Sequence, residues 1–493
     1  MTSASAPLAG AANTLSPDGA RDAASSGAPA AASNAEGESA PPNGSAHALD
    51  YAEPSSSGVG WRNVFTVADQ AVVSLGSFGT NILLVRSLAP AQYGAFALLY
   101  GVLLFLNNLH ASLITYPLTV RGAAGGDDHL RRLAGVSVIL TALLSAPLSL
   151  VVVGASWAVG ALSLAPWVVL ALLLWQVQET TRRALMAHLR YGDACWGDAL
   201  RYLGHVAIVF VLARSGTLSL RAVFLWMAAT SALGAIIQAV QLRLSHKSAA
   251  YTASIARSYW DLGRWMTFAN LVNVTNVQVI PWALRVFHGL AEAAKLQALG
   301  QVVAITHPLV FSINNLIIPA TARINAADGK HAAVRSAMRY AAIGAAVVIP
   351  LYCFVALAPQ LVLSLFFGKS SPYVPLHAAM QLFALLYSLT YAWSIVSCVL
   401  SGLEKSRAAF AAQMAAVVVT VIVTLPLAAW GGVTWALVGA SVSMLAGLAA
   451  GALLLKRYMR EPQSKTPPTA VPAAAVVLTA TVAAAEADRS VGN

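Results

Sequence analysis

The 493 residues are 58% apolar and only 10% charged, against roughly a quarter charged in soluble globular proteins, and the mean hydropathy is +0.68. This excludes a water-soluble enzyme and describes a polytopic helical membrane protein, since twelve crossings of about 20 residues need roughly 240. The net charge of +11 is uneven: residues 1–60 hold one basic residue, Arg21, against six acidic, residues 461–493 hold two against three, and residues 61–460 hold 27 against ten. Cations flanking apolar spans set topology and meet lipid headgroups, which is not the pattern of nucleic-acid binding.

Residues 1–60 lack a charged start, a continuous apolar run and a cleavage site, and 41 of them are Ala, Ser, Gly or Pro. They read as a disordered cytoplasmic tail, not a signal peptide. Apolar runs long enough to cross follow near 64–85, 95–118, 134–157, 165–186, 196–213, 219–242, 264–286, 297–320, 337–358, 377–402, 407–430 and 433–455. The first and seventh are the most polar of the twelve. Val471 to Ala485 is apolar but too short to span. Residues 61–243 therefore form an N-lobe of six spans and residues 264–460 a C-lobe of six. Residues 244–263 link them on the cytoplasmic side, and residues 461–493 are a second low-complexity tail.

Orientation follows from alternate loops. With the N-terminus cytoplasmic, six Lys and Arg fall on the outer side (Arg86, Arg214, Arg221, Arg285, Lys295 and Lys369) against 22 on the inner side. Cationic loops resist translocation, so both termini are expected in the cytoplasm. Outer connections such as Ser215–Leu218 are short, which leaves no room for an extracytoplasmic domain.

The two halves look related. Pro117-Leu-Thr-Val-Arg121 ends the second span as Pro319-Ala-Thr-Ala-Arg323 ends the eighth, and Leu88 to Leu99 lines up without gaps on His288 to Leu299, each run preceded by an outer arginine, Arg86 or Arg285. Ala187 to Ala194 similarly answers Ser401 to Ala408. Six crossings return the chain to its starting side, so the repeats are parallel, with a cavity expected between two lobes.

Val85-Arg-Ser-Leu-Ala-Pro-Ala-Gln-Tyr-Gly-Ala-Phe-Ala-Leu98, Gln178-Glu-Thr-Thr-Arg-Arg183, Asn314-Asn315 with Pro319 to Arg323, and Leu365-Phe-Phe-Gly368 followed by Tyr373 resemble the polysaccharide-transporter branch of the multidrug/oligosaccharidyl-lipid/polysaccharide (MOP) flippase superfamily. The resemblance covers residues 61–460. It implies an all-α integral membrane fold of about twelve transmembrane helices in two parallel-repeat six-helix lobes, MATE-like. It also implies movement of polyprenyl-pyrophosphate-linked oligosaccharides for lipopolysaccharide or exopolysaccharide synthesis across the bacterial inner membrane, with membrane lipids and polysaccharide polymerase or export machinery as partners.

The first span carries Asp69, Gln70, Ser74, Ser77, Thr80 and Asn81, and the seventh carries Asn270, Asn273, Thr275, Asn276 and Gln278. Amides facing lipid are costly, so these faces point into protein or a watery cavity, or else act as helix–helix glue at about 0.6 kcal/mol each. Asn107 and Asn108 in the second span and Asn314 and Asn315 in the eighth join them as cavity candidates. Arg86 and Arg285 are outer cations that either receive a diphosphate with their planar fork or snorkel to headgroups. Arg121, Arg323, Arg182 and Arg183 lie toward the inner mouth, where they either draw in an anionic headgroup or anchor topology. Asp69 is either a proton or sodium carrier, or is accounted for by a cation partner such as Arg62 or by a wet inner vestibule. His110 and His205 read as core histidines.

No cofactor is expected. Gly368-Lys369-Ser370 resembles the end of a phosphate loop, but residue 363 is Leu where its first glycine belongs. Cys195, Cys353 and Cys398 lack metal spacing, and no Ser/His/Asp set appears. Besides a lipid-linked sugar flippase, the sequence admits a cation-coupled multidrug exporter of the same fold, a membrane polymerase or ligase, and a non-transporting scaffold.

Overall fold

Backbone N–H and C=O groups have no water partner inside a bilayer, so a chain this apolar must satisfy them within helices. In the computed structural model, residues 56–123, 125–244 and 252–461 are described, and they are helical with no strand among them. The tail up to residue 55, most of the inter-lobe linker and the C-terminal tail lie outside the described residues, as do the side chains of Arg62 and Asn273.

The helices, in chain order, are α1 (Ser56–Ser87), α2 (Pro90–His110), α3 (Tyr116–Ala123), α4 (Asp127–Val159), α5 (Ala165–Ala187), α6 (Tyr191–Asp198), α7 (Gly204–Arg214), α8 (Leu220–Leu242), α9 (Thr252–His288), α10 (Leu290–Ala304), α11 (His307–Asp328), α12 (Lys330–Leu357), α13 (Pro359–Phe367), α14 (His377–Gly402), α15 (Ser406–Val419) and α16 (Leu425–Arg460). A π-helical turn, Ala111–Thr115, joins α2 to α3, and another, Ala199–Leu203, joins α6 to α7.

All twelve predicted spans fall on these helices. Among the described residues eight stretches are long and apolar enough to cross, and one of them, Ser406–Arg460, covers both the eleventh and twelfth predicted spans. The eighth is a broken pair, α10 and α11, bent by 61°. That break sits between the two matched stretches, whose offset changes across it: His288 lies 200 residues after Leu88, whereas Pro319 lies 202 after Pro117. The first and seventh spans, α1 and α9, are as long as the others but more polar, because of their amides and hydroxyls and, in α1, Asp69. Within α16 the helix breaks at Gly431 and Gly432; Gly432 has φ 69° and ψ −151°, a left-handed backbone that glycine adopts without a Cβ penalty.

In the N-lobe, α5 packs on α8 and α4, and α1 packs on α6 and α7; in the C-lobe, α14 packs on α16 and α12, and α9 packs on α16. The lobes meet chiefly where α2 lies against α10 and α9. There the backbones nearly touch, since a Cβ on Gly94 would fall 1.9 Å from the Leu290 carbonyl oxygen. Leu84, Leu99, Leu103 and Leu106 are fully buried in the apolar core around this seam. Helix α9 follows the N-lobe along its length and reaches α3 and α4, and the Tyr259 and Ser137 hydroxyls bond at 2.9 Å. By contrast α1 meets the C-lobe at α10 and α13.

Candidate functional site

Three groups of polar side chains interrupt the apolar helices. The first lies inside the N-lobe. Arg182 on α5 is 8% exposed and holds three carboxylates: Asp69 of α1 at 2.6 Å, Glu179 at 3.3 Å, and Asp198 of α6. Arg183 also pairs with Glu179, at 2.7 Å. Gln178 donates to Asp198 at 2.7 Å and to the Gln238 side-chain oxygen at 3.2 Å, and Gln238 donates to the Ala194 carbonyl. Arg201, in the π turn, donates to Gln178, and its guanidinium lies 4.6 Å from the Trp175 ring centroid and 4.4 Å from that of Tyr202. Arg182 and Arg183 thus pair with three carboxylates, while an amide and two aromatic rings hold Arg201. Burying such charges is tolerable only when they are paired and hydrogen-bonded.

Sequence reasoning offers Arg62 as a partner for Asp69 and places Arg182 at the inner mouth; in the structure Arg182 pairs with Asp69 inside the lobe. Asp198 escapes notice because the predicted fifth span starts at residue 196, whereas α6 starts at Tyr191 and carries Asp198 two turns inside. Arg201, Gln178 and Gln238 escape it because their partners lie on other helices.

Beside this network is a cavity of about 30 Å³ lined by Ser77, Thr80, Asn81, Tyr100, Arg201 and His205, among others, room for one or two waters. Asn81 donates to the Ser77 carbonyl at 3.0 Å, and its oxygen is buried without a partner. The α1 polar face therefore divides: Asn81 turns into the N-lobe, while Gln70 and Ser74, which bond each other at 3.4 Å, lie nearer the surface. His205 donates from Nε2 to the Val223 carbonyl, and His110 Nε2 lies 3.0 Å from the Thr141 hydroxyl, both rings buried.

The second group lies on the seam. Asn270 donates to the Ser112 hydroxyl at 2.8 Å, and Gln278 donates to the Gly101 carbonyl at 2.7 Å. Both cross from α9 to the other lobe, so in this conformation these amides join the lobes. The π turn places Ser112 against α9, where Gly263 permits the approach; a Cβ there would fall 2.4 Å from the Ser112 carbonyl oxygen. Asn276 is half-buried on the same helix.

The third group consists of Arg86 and Arg285. Arg86 donates from Nε to the Phe366 carbonyl at 2.6 Å and from Nη2 to the Leu365 carbonyl at 2.7 Å. Arg285 donates to the Ala158 carbonyl at 3.2 Å.

The remaining candidates are dispersed. Asn107 is half-buried with its side-chain oxygen unpartnered, and Asn108 donates to the Leu104 carbonyl of its own helix. Asn314 accepts from Ser394 at 3.3 Å, and Asn315 is exposed. Arg121 is exposed and reaches the Ser258 carbonyl at 3.5 Å, and Arg323 is exposed. Among the described residues no three His, Cys, Asp or Glu side chains are placed so that they could hold a metal ion.

No family model and no curated protein match the sequence. Solved structures do. An inward-facing conformation of a multidrug resistance MATE family transporter of the MOP superfamily aligns with TM-score 0.62 at 12% identity, covering 82% of this chain and 100% of the other. The outward-facing conformation of such a transporter gives 0.52 at 13% identity, over 82% and 96%. The lipid II flippase MurJ in an inward closed conformation gives 0.57 at 10% identity, over 80% and 87%. At such identities the likeness concerns architecture: the chain is a multi-pass helical membrane protein with the fold of the MOP superfamily transporters.

Proposed function

We propose that the protein is an alternating-access flippase that carries a polyprenyl-pyrophosphate-linked oligosaccharide from the cytoplasmic to the outer leaflet of a bacterial inner membrane, and that it is a transporter, not an enzyme. The observation that carries this reading is the pairing of intramembrane acids. Asp69, Glu179 and Asp198 are all held by arginine. A cationic drug needs an uncommitted carboxylate, whereas amides and arginines bind sugar hydroxyls and phosphate. The MOP fold, shared with both drug exporters and a lipid II flippase, accommodates either cargo, so side-chain chemistry decides between them.

In this reading Asn107, Asn108, Asn276, Asn314 and Asn315, with Asn81, Asn270, Asn273 and Gln278, supply polar contacts as the lobes part. Arg121, Arg323 and Arg183 attract the anionic headgroup at the cytoplasmic mouth, and the prenyl tail stays in lipid. Expelling net negative charge from an inside-negative cell gains about 2.3 kcal/mol per charge per 100 mV, which drives a dianion without ATP. Asp69 carries a coupling ion only if Arg182 lets go of it.

The test is deletion of the gene in its host, scoring surface polysaccharide and the leaflet location of radiolabelled lipid-linked sugar. Accumulation on the cytoplasmic side is expected. Normal polysaccharide with altered dye sensitivity would overturn the reading in favour of the drug exporter.

A further inference from the structure

Arg86 and Arg285 take up reciprocal positions. Arg86 stands at the end of α1, the first span of the N-lobe, and crosses to α13, which follows the third span of the C-lobe. Arg285 stands near the end of α9, the first span of the C-lobe, and crosses to the end of α4, the third span of the N-lobe. The two contacts are thus related by the same exchange that relates the repeats.

The acceptors are built alike. Helix α4 ends at Gly160, with φ 78°; its N–H donates to the Trp157 carbonyl at 2.9 Å, and the Ala161 N–H donates to that of Ser156 at 2.8 Å. This turn leaves the Ala158 carbonyl for Arg285. Helix α13 ends at Gly368, with φ 91°; its N–H donates to the Ser364 carbonyl at 2.9 Å, which leaves those of Leu365 and Phe366 for Arg86. Each guanidinium thereby satisfies end carbonyls that its acceptor helix cannot, at the negative pole of the dipole. Beside Arg86, the Phe78 and Phe366 rings meet edge to face across the lobes with centroids 6.0 Å apart.

We propose that Arg86 and Arg285 are two halves of a latch that holds the lobes together at this end, and that its release is the step that opens this end; the proposal rests on the alternating-access reading above. The halves are unequal. Arg86 makes two short bonds, whereas Arg285 makes one of 3.2 Å and its Nε is buried without an acceptor, so Arg86 is the stronger half.

The test uses the full chain in lipid nanodiscs with its three cysteines replaced by alanine. Spin-label pairs at Thr217 and Ser370 report the latch end, and pairs at His129 and Asp328 report the other end; all four residues are exposed. Wild type is expected to give one short-distance population at the latch end. Arg86→Ala should add a longer-distance population there, Arg285→Ala a smaller one, and the double variant a majority. Arg86→Lys should fall between, since a point charge cannot bridge two adjacent carbonyls as the fork does. As distances lengthen at the latch end they should shorten at the other, which mere loosening of the fold would not produce. An unchanged distribution in the double variant, or broadening at both ends, would overturn the latch. Opening in the variants without translocation of any lipid-linked sugar would leave the latch standing and overturn the cargo.

Discussion

Replacing Arg182 with Met tests whether the N-lobe is held by its buried charges. The guanidinium pairs with Asp69, Glu179 and Asp198, whose side chains are 3%, 8% and 0% exposed. Removing it leaves three acids of which only Glu179 retains a cation, Arg183. Stranding one buried charge costs about 3–5 kcal/mol, and losing one charge-assisted bond while both partners stay otherwise satisfied costs about 1.5–3 kcal/mol. Arg182→Met should therefore lose at least 3 kcal/mol, and Asp69→Asn, which leaves Arg182 with two carboxylates, should lose less. Combining Arg182→Met with Asp69→Asn and Asp198→Asn should recover part of the loss, because no buried acid is then stranded on α1 or α6. Denaturant unfolding in detergent, followed by tryptophan fluorescence, measures each value. An Arg182→Met variant within about 1 kcal/mol of wild type, or a triple variant less stable than the single one, would refute the reasoning.

The other predictions concern close approaches. Gly94→Val drives side-chain atoms into the Leu290 backbone, where a Cβ alone would stand 1.9 Å from the carbonyl oxygen; it should abolish accumulation of folded protein, read as loss of the monodisperse peak in size-exclusion chromatography. Gly432→Ala combines a φ of 69° with a Cβ 2.6 Å from Glu292 Oε1, the acceptor of the Val433 N–H, and should lower stability by about 1–3 kcal/mol. Gly126→Ala, whose added carbon meets nothing, should stay within about 0.5 kcal/mol of wild type by the same measurement. Gln278→Leu removes a single bond across the seam and should cost only about 0.6 kcal/mol, so a larger effect on transport than on stability would mark a role in binding cargo.

The helices were legible in the sequence because hydrophobicity over twenty residues is a strong, local signal. Even the weakness of the first and seventh spans carried over, since Asp69 of the first and Asn270 and Gln278 of the seventh, which lower their hydropathy, bond to other helices. The repeat was legible through Pro117 and Pro319 and their arginines, although the break before α11 shows only as a two-residue change of register. Side-chain partners were harder to read. Arg182 and Asp69 are more than a hundred residues apart, and nothing local distinguishes Arg62 from Arg182 as the partner. Asp198 was hidden by a predicted boundary a few residues late, the ordinary error of hydropathy reading. Arg86 and Arg285 stood out as cations expected on the outer side, but their acceptors are backbone carbonyls beside Gly160 and Gly368, and a backbone acceptor leaves no mark on residue identity.

The most direct test of the central claim is translocation in proteoliposomes that contain only the purified chain and a fluorescent polyprenyl-pyrophosphate oligosaccharide, with the leaflet of the label read by a membrane-impermeant quencher. An inside-negative potential in the direction of export should speed the transfer of label to the opposite leaflet, and empty liposomes should show none. A protein that leaves the labelled lipid in place while it moves a cationic dye would contradict the account.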